Sequence, residues 1–355
     1  MREWGRVLAV VLTLVLALGI VAGCGDDGEG EETGTAEEAT IVFCSYGGTF
    51  QEAQTQAWID PFMAANPNIT VIQDEPTDYA KIQAMVETGN VTWDVVDVGN
   101  DFAIGEFEAL CEPLDPEVVP MDELQPEVFV TTGYRVPVIA YSVVVGYLPD
   151  KFNGNVPTSF ADFFDLEKFP GKRGCYNYLS GGLPEIALLA DGVAPEDLYP
   201  LDMDRAYKKL DTIKDQIVWW DTGAQSAQLL ADGEVSMGMS WNGRLSEAQE
   251  EGAPIEIMWD QHILTADYLM IPKGCKNIDA AMQLIAWMTS AENSAEISNF
   301  INYGPPNINA IPKVDPAIAS GLPTAYVDTA VGFDDVWWGE NYSTLNPDWQ
   351  NWVQQ

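Results

Sequence analysis

Between residues 39 and 110, short apolar runs alternate with amphipathic segments three times over, and this alternation leaves the chain few folds to choose from. Residues 39–43, 69–72 and 93–98 read as strands, and each is followed by a segment with helical spacing. Thr49, with Glu52 three residues on, reads as a capping box opening a helix whose inner face carries Phe50, Ala53, Ala57 and Phe62. Thr77 or Asp78 caps a second helix with Ile82, Met85 and Val86 at helical spacing, and residues 102–110 form a third. Strands and helices in this order connect by right-handed crossovers into a parallel sheet. Ligands on such sheets bind beyond the strand C-termini. Here those positions are Ser45, Tyr46, Gly47 and Gly48 after the first strand, and Asn100, Asp101 and Phe102 after the third.

Residues 136–147 form a long β-rich segment that crosses into a second α/β unit. There, strands at 173–179 and 235–240 are interleaved with helical patterns at 159–169, 184–190, 205–214 and 225–231. The stretch 237–273, MGMSWNGRLSEAQEEGAPIEIMWDQHILTADYLMIPK, brings an aromatic, a cation and an anion into one strand-helix-strand unit. Its first apolar run ends in Trp241, Asn242, Gly243 and Arg244, and its second carries Asp267. Arg and Asp are costly to bury unless paired or hydrogen-bonded, so their place at the ends of apolar strands points to a polar cleft holding a small ligand. The bland reading is a surface salt bridge, with Arg244 pairing with Glu247 one helical turn on. Residues 280–289 form a helix that packs back on the first unit.

A chain of 355 residues suits two compact lobes. Its formal charge of −39, from 55 acidic against 16 basic residues, argues against a nucleic-acid binder, which needs a basic face. At the N-terminus, Arg2 and Arg6 precede an apolar run, residues 7–21, too short for a membrane span and suited to a secretory signal. It ends in Val21, Ala22, Gly23 and Cys24, small residues before a cysteine as in the bacterial lipobox, where Cys24 becomes the lipidated N-terminus. Residues 24–38 are acidic and Gly-rich, a disordered tether. The expectation is an extracytoplasmic monomer, at the cell surface or in the periplasm, held to the membrane by lipid. Those conditions permit disulfides among Cys44, Cys111, Cys175 and Cys275.

The order of elements and four motifs, IVFCSYGGTF, LADGEVSMGMSWNGR, DYLMIPKGCKNIDAAMQLIAWM and NYGPPNINAI, resemble the bacterial extracellular solute-binding proteins of ABC importers, specifically the spermidine/putrescine-binding family. The resemblance covers nearly all of the chain after the tether. It implies a two-lobed, periplasmic-binding-protein-like (type II) α/β fold with the ligand cleft between lobes joined by a hinge. Lobe 1 is residues 39–139 with 268–315, and lobe 2 is residues 140–267 with 316–355. It further implies an aromatic box with carboxylates holding ammonium groups, and delivery of the solute to membrane permease subunits. On that pattern Tyr46, Trp241 and Tyr303 are box aromatics, Asp267 holds an ammonium, and Phe102 stands in for a tyrosine. Three positions depart from it: Thr265 replaces the aromatic two residues before the key aspartate, Glu185 is alone where an acidic pair belongs, and Arg244 is unexpected beside a dication.

An Arg244 guanidinium ~5 Å from an ammonium repels it by about 3 kcal/mol at an effective dielectric near 20, roughly a hundredfold in affinity. Against a carboxylate the same geometry attracts, and the guanidinium fork adds specificity. Arg244 and Asp267 facing one another therefore suit a zwitterion such as γ-aminobutyrate, which some relatives in the family take. Spermidine or putrescine is the alternative. Ferric ion, which would need tyrosine pairs that this reading does not find at the cleft mouth, and a non-transport surface lipoprotein are remoter. The lone histidine, His262, reads as structural, no catalytic motif is evident, and neither cofactor nor metal is called for. On this architecture a Cys175–Cys275 bridge would lock closure, so Cys44 with Cys111 is the expected pair.

Overall fold

The computed structural model describes residues 38–125 and 128–355; the signal segment, Cys24 and the tether up to residue 37 lie outside the described residues. The strands are β1 (Ala39–Cys44), β2 (Ile69–Asp74), β3 (Val95–Val98), β4 (Arg135–Tyr147), β5 (Arg173–Tyr176), β6 (Ile217–Trp220), β7 (Met237–Trp241), β8 (Glu256–Met270) and β9 (Val331–Gly332). The helices are α1 (Gly48–Gln54), α2 (Asp60–Ala65), α3 (Tyr79–Thr88), α4 (Phe160–Phe164), α5 (Leu183–Ala190), α6 (Met203–Asp211), α7 (Gly223–Ala231), α8 (Asn242–Glu250), α9 (Ile278–Thr289), α10 (Pro316–Ala319) and α11 (Asp335–Val353).

The sheet order is β2-β1-β3-β8-β4-β7-β5-β6, with β9 beside β8. β1 is parallel to β2 and β3, and β5 is parallel to β6 and β7, so each lobe carries the parallel block expected of alternating strands and helices. Between the blocks run the two longest strands, β4 and β8, antiparallel from Arg135↔Met270 to Tyr147↔Glu256. Their register breaks between Pro137 and Ile139 and again between Val143 and Val145. The first break falls where proline has no N–H for the ladder, and the second where β8 accommodates extra residues around Gln261, at φ 61. Two strands with two local irregularities are thus the main covalent passage between the lobes.

Apolar side chains collect on either side of this passage. One large cluster holds Phe43, Trp58, Phe62, Val95, Leu269 and Ile285; the other holds Phe152, Phe160, Phe163, Leu183, Trp220 and Trp338. The C-terminal segment does not belong to one side only. Val314 and Leu322 pack with Ala295, the indoles of Trp338, Trp349 and Trp352 enter the second-lobe cluster, and Asp335 at the start of α11 reaches Arg135 of β4. Assigning all of 316–355 to the second lobe is therefore too simple, because one helix contributes to both.

The Arg135–Asp335 pair is fully buried, with Nη2 to Oδ2 at 2.7 Å. Arg135 Nη1 donates to the carbonyls of Asn100 (2.7 Å) and Phe102 (2.8 Å), and the guanidinium lies 3.8 Å from the centre of the Tyr268 ring. Tyr268 in turn donates its hydroxyl to Asp335 at 2.6 Å. Residues 102–110, expected as a helix, form only a 3-10 turn at Gly105–Leu110. The carbonyls of Asn100 and Phe102 already serve Arg135, and Ala103 and Gly105 have φ of 56 and 58, so no α-helix can start there.

Two other expectations are corrected. The helix after β1 is capped at Gly47, whose N–H donates to Gln51 Oε1 at 2.9 Å, and no capping box forms at Thr49 and Glu52. Thr49 thereby lies inside the first turn with its hydroxyl turned toward α8. The Cys44–Cys111 disulfide is not formed: all four cysteines in the described residues are free and buried. The Cys44 sulfur faces Thr77 and that of Cys111 donates to the Phe107 carbonyl at 3.4 Å.

Removing one partner of a buried ion pair leaves the other charge uncompensated, at a cost of about 3–5 kcal/mol. Asp335→Ala is accordingly expected to lower the urea midpoint sharply. Arg135→Met combined with Asp335→Leu, which removes both charges, should recover most of that loss in the same titration.

Candidate functional site

The C-terminal ends of both parallel blocks open on one cavity of about 1520 Å³. On the first-lobe side, the loop after β1 turns Ser45 inward, where its hydroxyl donates to Asp97 at 3.1 Å, and leaves Tyr46 39% exposed within the cleft. Asp78 caps α3 through the N–H groups of Ala80 and Lys81, which places Tyr79 at the cavity wall. The Tyr79 hydroxyl accepts the Gly99 N–H (2.9 Å), donates to Asp101 (3.1 Å), and its ring stacks 4.2 Å from that of Phe102. Phe102, expected as a ligand-contacting residue, is buried and does not line the cavity; Tyr79, stacked on it, does. Thr265 and Asp267 of β8 share a face by strand periodicity, and Tyr141 of β4 stands directly opposite Thr265 in the ladder.

The second-lobe wall is aromatic. Trp220 stacks on Tyr176 at 4.4 Å, and Trp241 meets both edge-on, each at 5.4 Å, while presenting itself to the cavity. Gly223 and Gly243, in the first turns of α7 and α8, make this packing possible. A Cβ on Gly223 would lie 2.7 Å from the Trp241 ring, and one on Gly243 would lie 2.5 Å from that of Tyr303. Arg244 extends from α8 into the cavity, pairs with Glu247 at 3.5 Å and donates to the Thr49 hydroxyl of the opposite lobe. The helix-surface pairing and the cavity position thus occur together. Asp101 also spans the cleft, since the Tyr178 hydroxyl (2.6 Å) and the Ser180 hydroxyl (2.9 Å) both donate to it.

Of the residues singled out from the sequence, Tyr46, Asp101, Trp241, Arg244, Asp267 and Tyr303 are brought together on the cavity wall. Sequence reasoning missed Tyr79, Tyr141, Tyr176, Tyr178, Thr265 as a cavity group, and Tyr342. Seven tyrosines line the cavity, and the rings of Tyr176 and Tyr178 are 5.7 Å apart, so the expectation that no tyrosine pair meets there is corrected. Their alternation on one strand end was the available signal. Among the described residues no group of His, Cys, Asp and Glu is arranged to hold a metal ion. Glu185 is buried elsewhere, accepting from Tyr199 and Trp338. His262 is also buried: its Nε2 donates to the Tyr326 carbonyl (2.9 Å), which leaves Nδ1 to accept from Ser142 (2.7 Å).

Six carboxylates line the cavity (Asp78, Asp101, Asp221, Glu247, Glu251 and Asp267) against one basic side chain, Arg244. Burial pushes the Asp267 carboxyl well above its usual range, and the nearby charges of Asp97 and Asp101 add to this against a hydrogen bond from Tyr141. Burial likewise raises Asp97 to about 7, opposed by the hydrogen bonds from Gln54 and Ser45. The hydroxyls of Tyr79, Tyr141 and Tyr178 are raised too, chiefly by burial, and remain donors at neutral pH. A wall with these properties holds carboxylates that a cation would stabilise in the ionised form.

Residues 57–324 match the family model of bacterial extracellular solute-binding proteins. A γ-aminobutyric acid-binding protein of Pseudomonas aeruginosa is 34% identical over 327 residues, 90% of this chain and 92% of the relative. A spermidine/putrescine-binding periplasmic protein of Salmonella typhimurium is 28% identical over 214 residues, 58% of each chain. Among solved structures, one described as a GABA receptor has 45% identity and a TM-score of 0.83, covering 88% of this chain and 97% of its own. Another, from Agrobacterium tumefaciens in complex with agropinic acid, has 34% identity and a TM-score of 0.80, covering 89% and 99%.

A carboxyl whose folded pKa is raised binds its proton more tightly in the folded than in the unfolded chain. Its stabilising contribution is therefore present at low pH and lost as pH rises through the folded value. For Asp97 that window runs from about 4 in the unfolded chain to about 7. Asp97→Asn, neutral throughout, is expected to melt above the wild type at pH 8, with the gap closing by pH 5 in thermal scans of ligand-free protein.

Proposed function

Because the chain belongs to the bacterial extracellular solute-binding proteins, the capture components of ABC importers, we propose that its solute is an ω-amino acid of the γ-aminobutyrate kind. The observation that carries this reading is the polarity of the cavity. Buried carboxylates line the cavity at Asp101 of the first lobe and at Asp267, where β8 crosses between the lobes, and the single lining cation, Arg244, extends from the second. Arg244 Nε is buried and has no hydrogen-bond partner in the protein, so the guanidinium keeps donor capacity for a ligand carboxylate. The ligand ammonium goes to Asp267, and Trp241 and Tyr46 flank the methylenes between. A cation over an aromatic face adds about 0.5–2 kcal/mol. Tyr303 packs against the Gly243 turn that presents Arg244.

In this reading the lobes, residues 39–139 with 268–315 and residues 140–267 with the bulk of α11, close about the irregular stretches of β4 and β8. Asp101 joins the walls through Tyr178 and Ser180, and the closed form is handed to permease subunits. The protein acts outside the cytoplasm as a monomer tethered by lipid at Cys24, and performs no catalysis. A diamine such as putrescine is the competing ligand, favoured by the six lining carboxylates.

Calorimetric titration of refolded protein with γ-aminobutyrate and putrescine decides between the two. γ-Aminobutyrate is expected to bind, and Arg244→Ala to lose roughly one to two orders of magnitude, the worth of a hydrogen bond to a charged group. Preferential binding of putrescine, unchanged or tightened in Arg244→Ala, would instead establish the diamine.

A further inference from the structure

Among the side chains lining the cavity, two buried polar atoms have no hydrogen-bond partner in the protein: Arg244 Nε and Thr265 Oγ1. The first belongs to the cation already assigned to the ligand carboxylate. The second has no assigned role, although Thr265 is only 5% exposed. A buried hydroxyl without a partner is costly, and the other hydroxyls around it are committed. Ser45 serves Asp97; Tyr79, Tyr178 and Ser180 serve Asp101; and Tyr141 serves Asp267. Thr265 lies two residues before Asp267 on the same face of β8 and opposite Tyr141 in the ladder. Its free hydroxyl therefore adjoins the carboxylate that receives the ligand amine.

We propose that Thr265 is a specificity-determining residue, which together with Asp267 accepts hydrogen bonds from the N–H groups of the ligand's terminal ammonium, so that the cavity takes primary amines and rejects quaternary ones. The distinction is not implied by the aromatic walls alone. An aromatic box attracts a quaternary ammonium as readily as a primary one, since the ring faces read charge and not N–H donors. A buried carboxylate with a free hydroxyl beside it reads donors. Three methyl groups in that position leave both acceptors unpaired, and a site built to hydrogen-bond a ligand discriminates strongly against an analogue lacking the donors. Thr265 also leaves a small side chain at this point of the wall, where a bulkier residue would fill the space next to Asp267.

This inference rests on the placement of the amine in the preceding reading but not on the identity of the acid. Titrations should compare γ-aminobutyrate with its N,N,N-trimethyl derivative on wild type, Thr265→Val and Thr265→Ser; if the wild type binds only putrescine, the amine and its mono-trimethyl derivative replace them. The trimethyl compound is expected to bind wild type at least about a hundredfold more weakly. Thr265→Val, close in shape but without the hydroxyl, should lose roughly ten- to a hundredfold for the primary amine, while Thr265→Ser stays within a few-fold. Equal binding of primary and quaternary amines by the wild type would overturn the proposal without any variant. So would undiminished primary-amine affinity in a folded Thr265→Val protein. Failure of every ω-amino acid, with putrescine bound, counts against the preceding reading and leaves this comparison in force.

Discussion

The buried ion pair between Arg135 and Asp335 is the constraint on which much else depends. A guanidinium removed from water must find partners for its donors, and Arg135 finds them in one carboxylate and in the carbonyls of Asn100 and Phe102. Those carbonyls flank Asp101, so the same bonds that neutralise the charge set the loop that carries Asp101 toward Tyr178 and Ser180. Asp335 starts α11, so the pair also ties the C-terminal helix, whose indoles fill the second-lobe core, to the β3 end of the sheet. Desolvation is balanced by geometry here, and the geometry is what positions a cleft residue.

The cleft itself is built on electrostatic tension left partly unresolved. Asp97 and Asp267 are buried near one another, and neither forms an ion pair with a basic side chain among the described residues. Hydrogen bonds from Ser45, Gln54 and Tyr141 offset part of the desolvation, and a proton offsets more, as the raised pKa of Asp97 indicates. The opposite charge on the cavity wall comes from one cation, Arg244 of the second lobe, held near the cavity by Glu247 and Thr49. A ligand with separated ammonium and carboxylate groups would relieve both ends, and the tyrosine and tryptophan faces between would shield the exchange from water. Small residues matter as much as charged ones, because without glycine at positions 223 and 243 the rings of Trp241 and Tyr303 could not stand where they do.

The amino-acid sequence by itself determined the two α/β blocks, the long crossing strand and the presence of an aromatic, a cation and an anion at strand ends. Periodicity reports which face of an element is buried, and strand ends in parallel blocks share one edge, which pointed to Tyr46 and Asp101, while apolar runs ending in polar groups pointed to Trp241, Arg244 and Asp267; Tyr303 was legible only through the family resemblance. What periodicity cannot report is which distant groups meet. Only the tertiary structure paired Arg135 with a carboxylate 200 residues away, drew the carbonyls of Asn100 and Phe102 out of a helix, put Phe102 behind Tyr79, and kept Cys44 apart from Cys111. It alone set Tyr141 across from Thr265, through a register interrupted at Pro137 and Val143, and so left one buried hydroxyl free beside Asp267. Partnership between buried polar groups depends on register and packing over the whole chain, whereas local pattern records only that a residue is turned inward.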